Sequence, residues 1–482
     1  MDPARPEASS GEIAAHAILP QTLRLRDAVA VVVGSMIGSG IFMKEPTIAG
    51  QVGAFGPILG IWLAVGILTW CGALAIGELA AMMPQAGGPY VYLREAYGRL
   101  PAFLWGWTEF WIIRTASIGS LACATVIYLE ALMIRTGESA SGLSHSQQAL
   151  IACGVVLLLA AVNARGARWG AVVQNSTTLI KTGFLGMLIV MPWVLGRADP
   201  AHLAPLAPDN VGIDFWRSVG LAMIAVKWPY DGWVNVGFIA EEIERPQRNV
   251  PLALSLGLGA IVLLYLLTTI SYHLVLPFNE VVGSKRIAAD VSQSLFGPAG
   301  ATLAAVGVMI STLGACNSNM LTGPRIYFAL ARDGLLPRAV SALHPTYRTP
   351  ANAIWLQTVW AVVLVVAAFA WKSGPGDSVA DAFDELTDFV IFGGEMFYAM
   401  TVAAVFVLRG KYPDRARPYR TWGYPFTPLI YLAGFAAVLT SLLMNKPVQT
   451  VAGSVLILAG VGWYYAVKLS TGRQGQPLGN ED

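Results

Sequence analysis

Apolar residues run along this chain in stretches of about 20, separated by short polar connections. A helix of that length spans the ~30 Å hydrocarbon core of a bilayer. The pattern predicts twelve membrane spans, over residues 28–50, 56–83, 101–134, 147–164, 174–196, 214–241, 251–278, 293–330, 351–371, 382–408, 424–444 and 447–468. Residues 1–27 are polar and hold no apolar run, so they read as a tail and not as a signal peptide. Residues 471–482 read as a second tail.

Composition supports the membrane reading. The chain of 482 residues is 55% hydrophobic and 12% charged, about half the charged share of a soluble domain. A soluble core could not bury so many apolar residues, because soluble chains divide into domains of roughly 50–200 residues. Cys71, Cys123, Cys153 and Cys316 all fall inside apolar spans, and their spacing suits neither a disulfide nor a metal. No metal and no cofactor is expected. The net charge of +2 argues against a nucleic-acid partner.

Where the charges fall says more than their sum. Cations in short loops stay on the cytoplasmic side. With the N-terminus inside, twenty of the 31 Lys and Arg residues fall in inner segments and eight in outer ones. This predicts a multi-pass protein of the cell membrane with both termini in the cytoplasm. Arg114, Lys181 and Lys227 are left within spans, where a cation costs about 2.5–3.5 kcal/mol or more and needs a partner or a task.

Two spans carry helix-breaking residues at their centres. Span 1 reads Gly34-Ser35-Met36-Ile37-Gly38-Ser39-Gly40. Such small residues serve either close helix packing or a mid-membrane interruption. In the second case the freed N–H groups of Ser35, Met36, Ile37, Gly38, Ser39 and Gly40 and the start of the next half-helix can bind a carboxylate. Span 6 holds Lys227-Trp228-Pro229-Tyr230-Asp231-Gly232, in which the proline removes an N–H and the glycine loosens the backbone. Paired interruptions in the first and sixth spans point to a transporter built from inverted repeats of five helices. The repeats would cover 28–196 and 197–408, with two peripheral helices and a basic loop at 409–470. Direct sequence similarity between the halves is not visible.

These residues also carry a resemblance. Gly34 to Phe42, Gly77-Glu78-Leu79, Gly87-Gly88-Pro89-Tyr90-Val91-Tyr92, Ile112-Ile113-Arg114, Ala161-Val162-Asn163, Glu241 to Pro251 and Ala331 to Pro337 occur in the order and spacing of the amino acid–polyamine–organocation superfamily. Over residues 25–440 the chain most resembles the L-type amino acid transporter group, in a prokaryotic-type member. The resemblance implies an all-α, leucine-transporter-type fold of ten core helices plus two. It implies a sodium-independent L-amino acid transporter, an exchanger of neutral amino acids by alternating access, and not an enzyme. The Ser35–Gly40 backbone matches the family's binder of the substrate carboxylate. Trp228, Pro229, Tyr230, Asp231 and Gly232 match the binder of its amino group, with Trp228 as an aromatic gate. Lys181 matches a lysine whose ammonium takes the place of a sodium ion. In proton-coupled relatives a lysine at this place carries the proton, so a proton-coupled amino acid or polyamine permease is the competing reading. Animal relatives have a cysteine between spans 3 and 4 that bonds a heavy chain. The loop from Arg135 to Gln148 has none, so no disulfide-linked partner is expected.

The remaining polar residues of the spans have two readings each. Lys227 pairs with Asp231 or Glu395, or favours a polar substrate. Asn317 and Glu395 are pocket groups or interhelical hydrogen-bonding groups. Glu109 and Arg114 are five apart, a poor spacing for a direct pair in an α-helix. His273, near the outer end of span 7, is expected at the membrane interface.

Overall fold

A computed structural model describes residues 19–136, 143–371, 379–445 and 447–472. Most of the two predicted tails, six residues of the loop between Arg135 and Gln148, and Lys372 and Lys446 lie outside the described residues. All extended secondary structure among the described residues is helical. Among these residues a single bridge between extended segments joins Leu23 to Ile243.

The chain begins with α1 (Leu25–Met36), α2 (Gly40–Met43), α3 (Glu45–Val52) and the long α4 (Phe55–Met82). Next come α5 (Arg99–Thr108), a π turn (Glu109–Ile113) and α6 (Arg114–Thr136). Then follow α7 (His145–Ala164), α8 (Ala167–Val194), α9 (Ile213–Lys227) and the short α10 (Asn235–Phe238). The second part holds α11 (Pro246–Val275), α12 (Pro298–Thr322), α13 (Pro324–Arg332), α14 (Ala351–Trp371), α15 (Val379–Lys411), α16 (Phe426–Asn445) and α17 (Pro447–Gly472). Among the described residues, nine helices are long and apolar enough to cross a membrane, counted by length and composition. α9, with 15 residues, is too short to be counted.

The surface is oily, unlike that of a soluble protein, and the largely apolar interior also buries charged groups such as Glu45, Glu109, Arg114 and Lys181. Leu150, Leu158, Leu179, Trp193 and Val359 are all more than half exposed on α7, α8 and α14. Contiguous apolar exposure of this kind marks a membrane-facing surface. Inside, α4 packs along α11, α6 lies between α12 and α15, and α1 rests on α8 and α11.

The π turn resolves the spacing of Glu109 and Arg114. Its i→i+5 register runs from the Arg114 N–H to the Glu109 carbonyl, which puts residues five apart on one face. Arg114 then holds the Glu109 carboxylate with Nε at 3.0 Å and Nη2 at 3.2 Å. Arg114 Nη1 also donates to Asn235 Oδ1 at 3.0 Å and to Asn319 Oδ1. Both charged groups are buried.

His273, expected at the membrane interface, does not reach the protein surface. It is fully buried, with Nε2 3.0 Å from Glu45 Oε1, and the other oxygen of Glu45 accepts Trp62 Nε1 at 2.9 Å. Glu45 opens α3 and draws the imidazole inward. The sequence holds no local sign of this pairing, because Glu45 and His273 lie 228 residues apart.

Removing one partner of a buried ion pair leaves the other charge uncompensated, at a cost of about 3–5 kcal/mol. Arg114→Ala should therefore lower the resistance of the detergent-solubilised protein to denaturation by that amount. The double variant E109Q/R114M should recover part of the loss, as read in the same unfolding titration.

Candidate functional site

Backbone that leaves a helix at membrane depth must find partners for its polar groups. α1 ends at Met36 and the helix restarts at Gly40, so Ile37, Gly38 and Ser39 are non-helical. Their neighbourhood supplies the partners. Lys181 Nζ, fully buried on α8, donates to Gly34 O at 2.5 Å and Ile37 O at 2.7 Å. Tyr265 Oη of α11 donates to Met36 O at 2.6 Å. Ser311 Oγ of α12 lies 2.9 Å from Ile37 O and 3.2 Å from Gly38 O. At the start of α2 the Phe42 N–H donates to Ser39 O at 3.1 Å, while the N–H groups of Gly40 and Ile41 precede any carbonyl of their own helix.

The second break follows α9. The chain turns from Trp228 to Val234 before α10 begins. Gly232 has φ +100°, and a Cβ there would stand 2.8 Å from Ser35 Cβ. A Cβ on Gly40 would meet the Pro229 ring at 2.6 Å. The two breaks are thus in backbone contact at glycines. Trp228 Nε1 donates to Ser39 Oγ at 3.2 Å, and Tyr265 Oη also lies 3.1 Å from Pro229 O.

A cavity of about 30 Å³ lies between the breaks, with Ser35, Gly38, Ser39 and Gly40 on one side and Trp228, Asp231 and Gly232 on the other. Met36, Ser117, Leu121 and Asn319 complete it. The start of one half-helix and the end of another therefore meet at one small space. Helix starts favour anions and helix ends favour cations. Tyr398 Oη donates to Asp231 Oδ1 at 3.0 Å, which fixes that carboxylate beside the cavity.

Two acidic residues fasten the chain that follows the second break. Glu241 accepts the N–H groups of Leu19 and Ala86, each at 2.9 Å, and pairs with Arg332 at 3.1 Å. Glu242 takes both Nε and Nη2 of Arg325, at 2.7 and 3.1 Å.

An amino acid permease family model matches residues 23–467. The chain belongs to the amino acid permease family. It is 32% identical to the serine/threonine exchanger SteT of Bacillus subtilis (strain 168), over 93% of this chain and 97% of that one. The b(0,+)-type amino acid transporter 1 of Mus musculus is 28% identical, over 93% of this chain and 88% of its own. The large neutral amino acids transporter small subunit 2 of Homo sapiens is 29% identical, over 96% and 83%. The permease is thus an amino acid transporter of the membrane and not an enzyme.

The expected site residues separate into those at the cavity and those behind it. Ile37, Pro229 and Tyr230 do not line it. Tyr230 turns away and packs edge-on against Trp62 and Tyr265, donating to Trp62 O at 3.2 Å. Lys181 sits behind the first break and not in the cavity wall. Lys227 pairs with Glu395 at 2.9 Å and lies 5.6 Å from the Tyr431 ring centroid, so its partner is Glu395 and not Asp231. Asn317 faces the other way, donating to Gly170 O at 3.0 Å and Gln174 Oε1 at 3.2 Å and accepting from Asn163 at 2.9 Å. It belongs to helix packing. Asn319, two residues on, lines the cavity, because a two-residue step in a helix reaches nearly the opposite face. Ser117, Leu121, Ser311 and Tyr265 carried no local signal. Each is an ordinary residue of an apolar span, and its role comes from a helix distant in sequence.

The glycines give a differential test. Gly40→Ala and Gly232→Ala force atoms into backbone contacts and should destabilise the permease by about 1–3 kcal/mol. At Gly38 a Cβ meets Ala315 at 3.4 Å and Leu121 at 3.5 Å, and the residue is not in the left-handed region, so Gly38→Ala should be nearly neutral. Melting midpoints in detergent check the order.

Proposed function

We propose that this permease exchanges small neutral L-amino acids without sodium, by alternating access. The scaffold proposed for it is the leucine-transporter type. It has twelve spans, with five-helix repeats over 28–196 and 197–408, peripheral helices over 409–470, and cytoplasmic tails over 1–27 and 471–482. The observation that carries the reading is the convergence of opposite helix ends on one cavity. The carboxylate of a zwitterion meets the α2 start, with the backbone of Ser35 to Gly40 around it. Its ammonium meets the carbonyl-rich turn from Trp228 to Gly232, beside the Asp231 carboxylate.

The lining supports small polar side chains. Ser35, Ser39, Ser117 and Asn319 offer hydroxyl and amide groups, and the volume of about 30 Å³ must grow by movement of Trp228 to admit even a small amino acid. The similarity to a serine/threonine exchanger points the same way. Serine and threonine therefore head the panel of substrates.

The Lys181 ammonium supports sodium independence. It already satisfies two carbonyls of the first break, the kind of oxygen ligand a sodium ion would seek. Lys227 and Glu395 support the wall behind Asp231 by pairing with each other, and Asn317 has no part in binding. No disulfide-linked heavy chain is needed, since the four cysteines all lie within helices.

Labelled serine and threonine uptake into proteoliposomes tests the proposal, without sodium and at matched pH. Vesicles preloaded with unlabelled amino acid should accumulate label strongly, and empty vesicles should not. Equal uptake into empty vesicles, driven by an inward proton gradient, would make the protein a proton-coupled amino acid or polyamine permease instead.

Lys181→Ala should lower exchange by at least about tenfold, the equivalent of 1.4 kcal/mol. Yield and monodispersity of the folded protein should fall far less. Wild-type exchange by this variant would remove Lys181 from the mechanism.

A further inference from the structure

A second cavity, largely apolar, lies apart from the substrate site and measures about 400 Å³ against about 30 Å³. Ile67, Trp70, Cys71 and Leu74 form one wall, a single i, i+3, i+4, i+7 stripe of α4. Ser255 of α11 forms the second. The third is the segment leading into α16, with Tyr419, Trp422 and Thr427. Ile67 and Trp70 are about two-fifths exposed and Trp422 is three-quarters exposed, so the groove opens on the membrane-facing surface.

We propose that this groove holds an anionic phospholipid, with an acyl chain along the α4 stripe and the phosphate between Arg248 and Arg420. Arg248 lies seven residues before Ser255 on α11, hence on the same face two turns toward the helix start. Arg420 adjoins Tyr419 and stands two residues from Trp422. Both arginines are exposed, and among the described residues neither forms an ion pair or a side-chain hydrogen bond. Tyr419 and Pro251 of α11 both close on Gly77, where a Cβ would stand 3.2 Å from the tyrosine ring and 3.6 Å from Pro251 Cα, so the segments that carry the two arginines run side by side. Two guanidinium groups so carried suit a phosphate, which they can bind by paired N–H donors. Tryptophan at the headgroup level is the usual companion of such a boundary. The carboxylate that continues the α4 stripe, Glu78, is already engaged by Arg409 at 2.7 Å and by Arg417 at 3.4 Å, so it leaves these cations to an outside anion. The lining itself carries no charge, only the hydroxyls of Ser255, Tyr419 and Thr427, the Cys71 thiol and indole groups. A water-soluble anion would gain nothing from that wall, whereas an acyl chain would. The bound lipid would tie α4 and α11, which pack on each other, to the outer helix α16. Its placement in the cytoplasmic leaflet rests on the topology proposed above, but the site itself does not.

Native mass spectrometry of the full-length protein in detergent tests this independently of transport. Phosphatidylglycerol and phosphatidylcholine of matched chains would be titrated against wild type, R248Q, R420Q and the double variant. Wild type should retain phosphatidylglycerol preferentially, and each arginine lost should lower that preference about fivefold, the factor for a surface cation facing an anionic headgroup. Ser255→Phe, which fills the groove, should lower retention of both lipids. Equal retention of the two lipids by wild type would overturn the proposal, as would an unchanged preference in the double variant. Because both arginines are exposed, their variants should fold, and unaltered melting midpoints would confirm that lost retention is not lost structure.

Discussion

Broken helices at bilayer depth must satisfy their carbonyl groups from within the protein, and the interior of this permease is arranged around that need. An unpaired carbonyl in such a place costs about 1–3 kcal/mol. At the first break the carbonyls of Gly34, Met36, Ile37 and Gly38 need partners from outside the helix. Lys181, Tyr265 and Ser311 reach them from α8, α11 and α12, three helices that meet α1 in different directions. Interruption of one helix thus dictates polar residues on three others. Those helices must stay in register with α1 for the break to exist at all.

A second polar system fixes the other side of the cavity. Ser35 Oγ receives Asn235 Nδ2 at 3.1 Å and lies 2.5 Å from Ser318 Oγ. Asn235 in turn accepts from Arg114, which the π turn holds against Glu109. The chain from α1 through α10 to α6 is continuous. Every charge in it is compensated, which keeps buried groups tolerable in a low-dielectric interior.

Much of this could be read in the sequence, for definite reasons. The spans were legible because each needs its own apolar run. The breaks were legible because glycine and proline are the residues that interrupt helices. Lys181 stood out because a cation in an apolar span demands a partner. What stayed hidden were relations between distant residues. Nothing near Glu109 announces a π turn, so its spacing to Arg114 looked wrong. Nothing near His273 announces Glu45, more than two hundred residues earlier. Asn317 and Asn319 differ only in helical phase, and a shift of two residues exchanges a packing role for a place in the cavity.

Tyr265 stands between the breaks with a single hydroxyl hydrogen and two carbonyls to serve. Met36 O, at 2.6 Å, has the stronger claim, and Pro229 O, at 3.1 Å, has what remains. The two half-helices therefore compete for one proton. A shift of a few tenths of an ångström that lengthens the first bond hands the hydrogen to the second, like the beam of a balance tipping. A displacement of either break would thus be felt at the other through one rotating hydroxyl, with no change in charge.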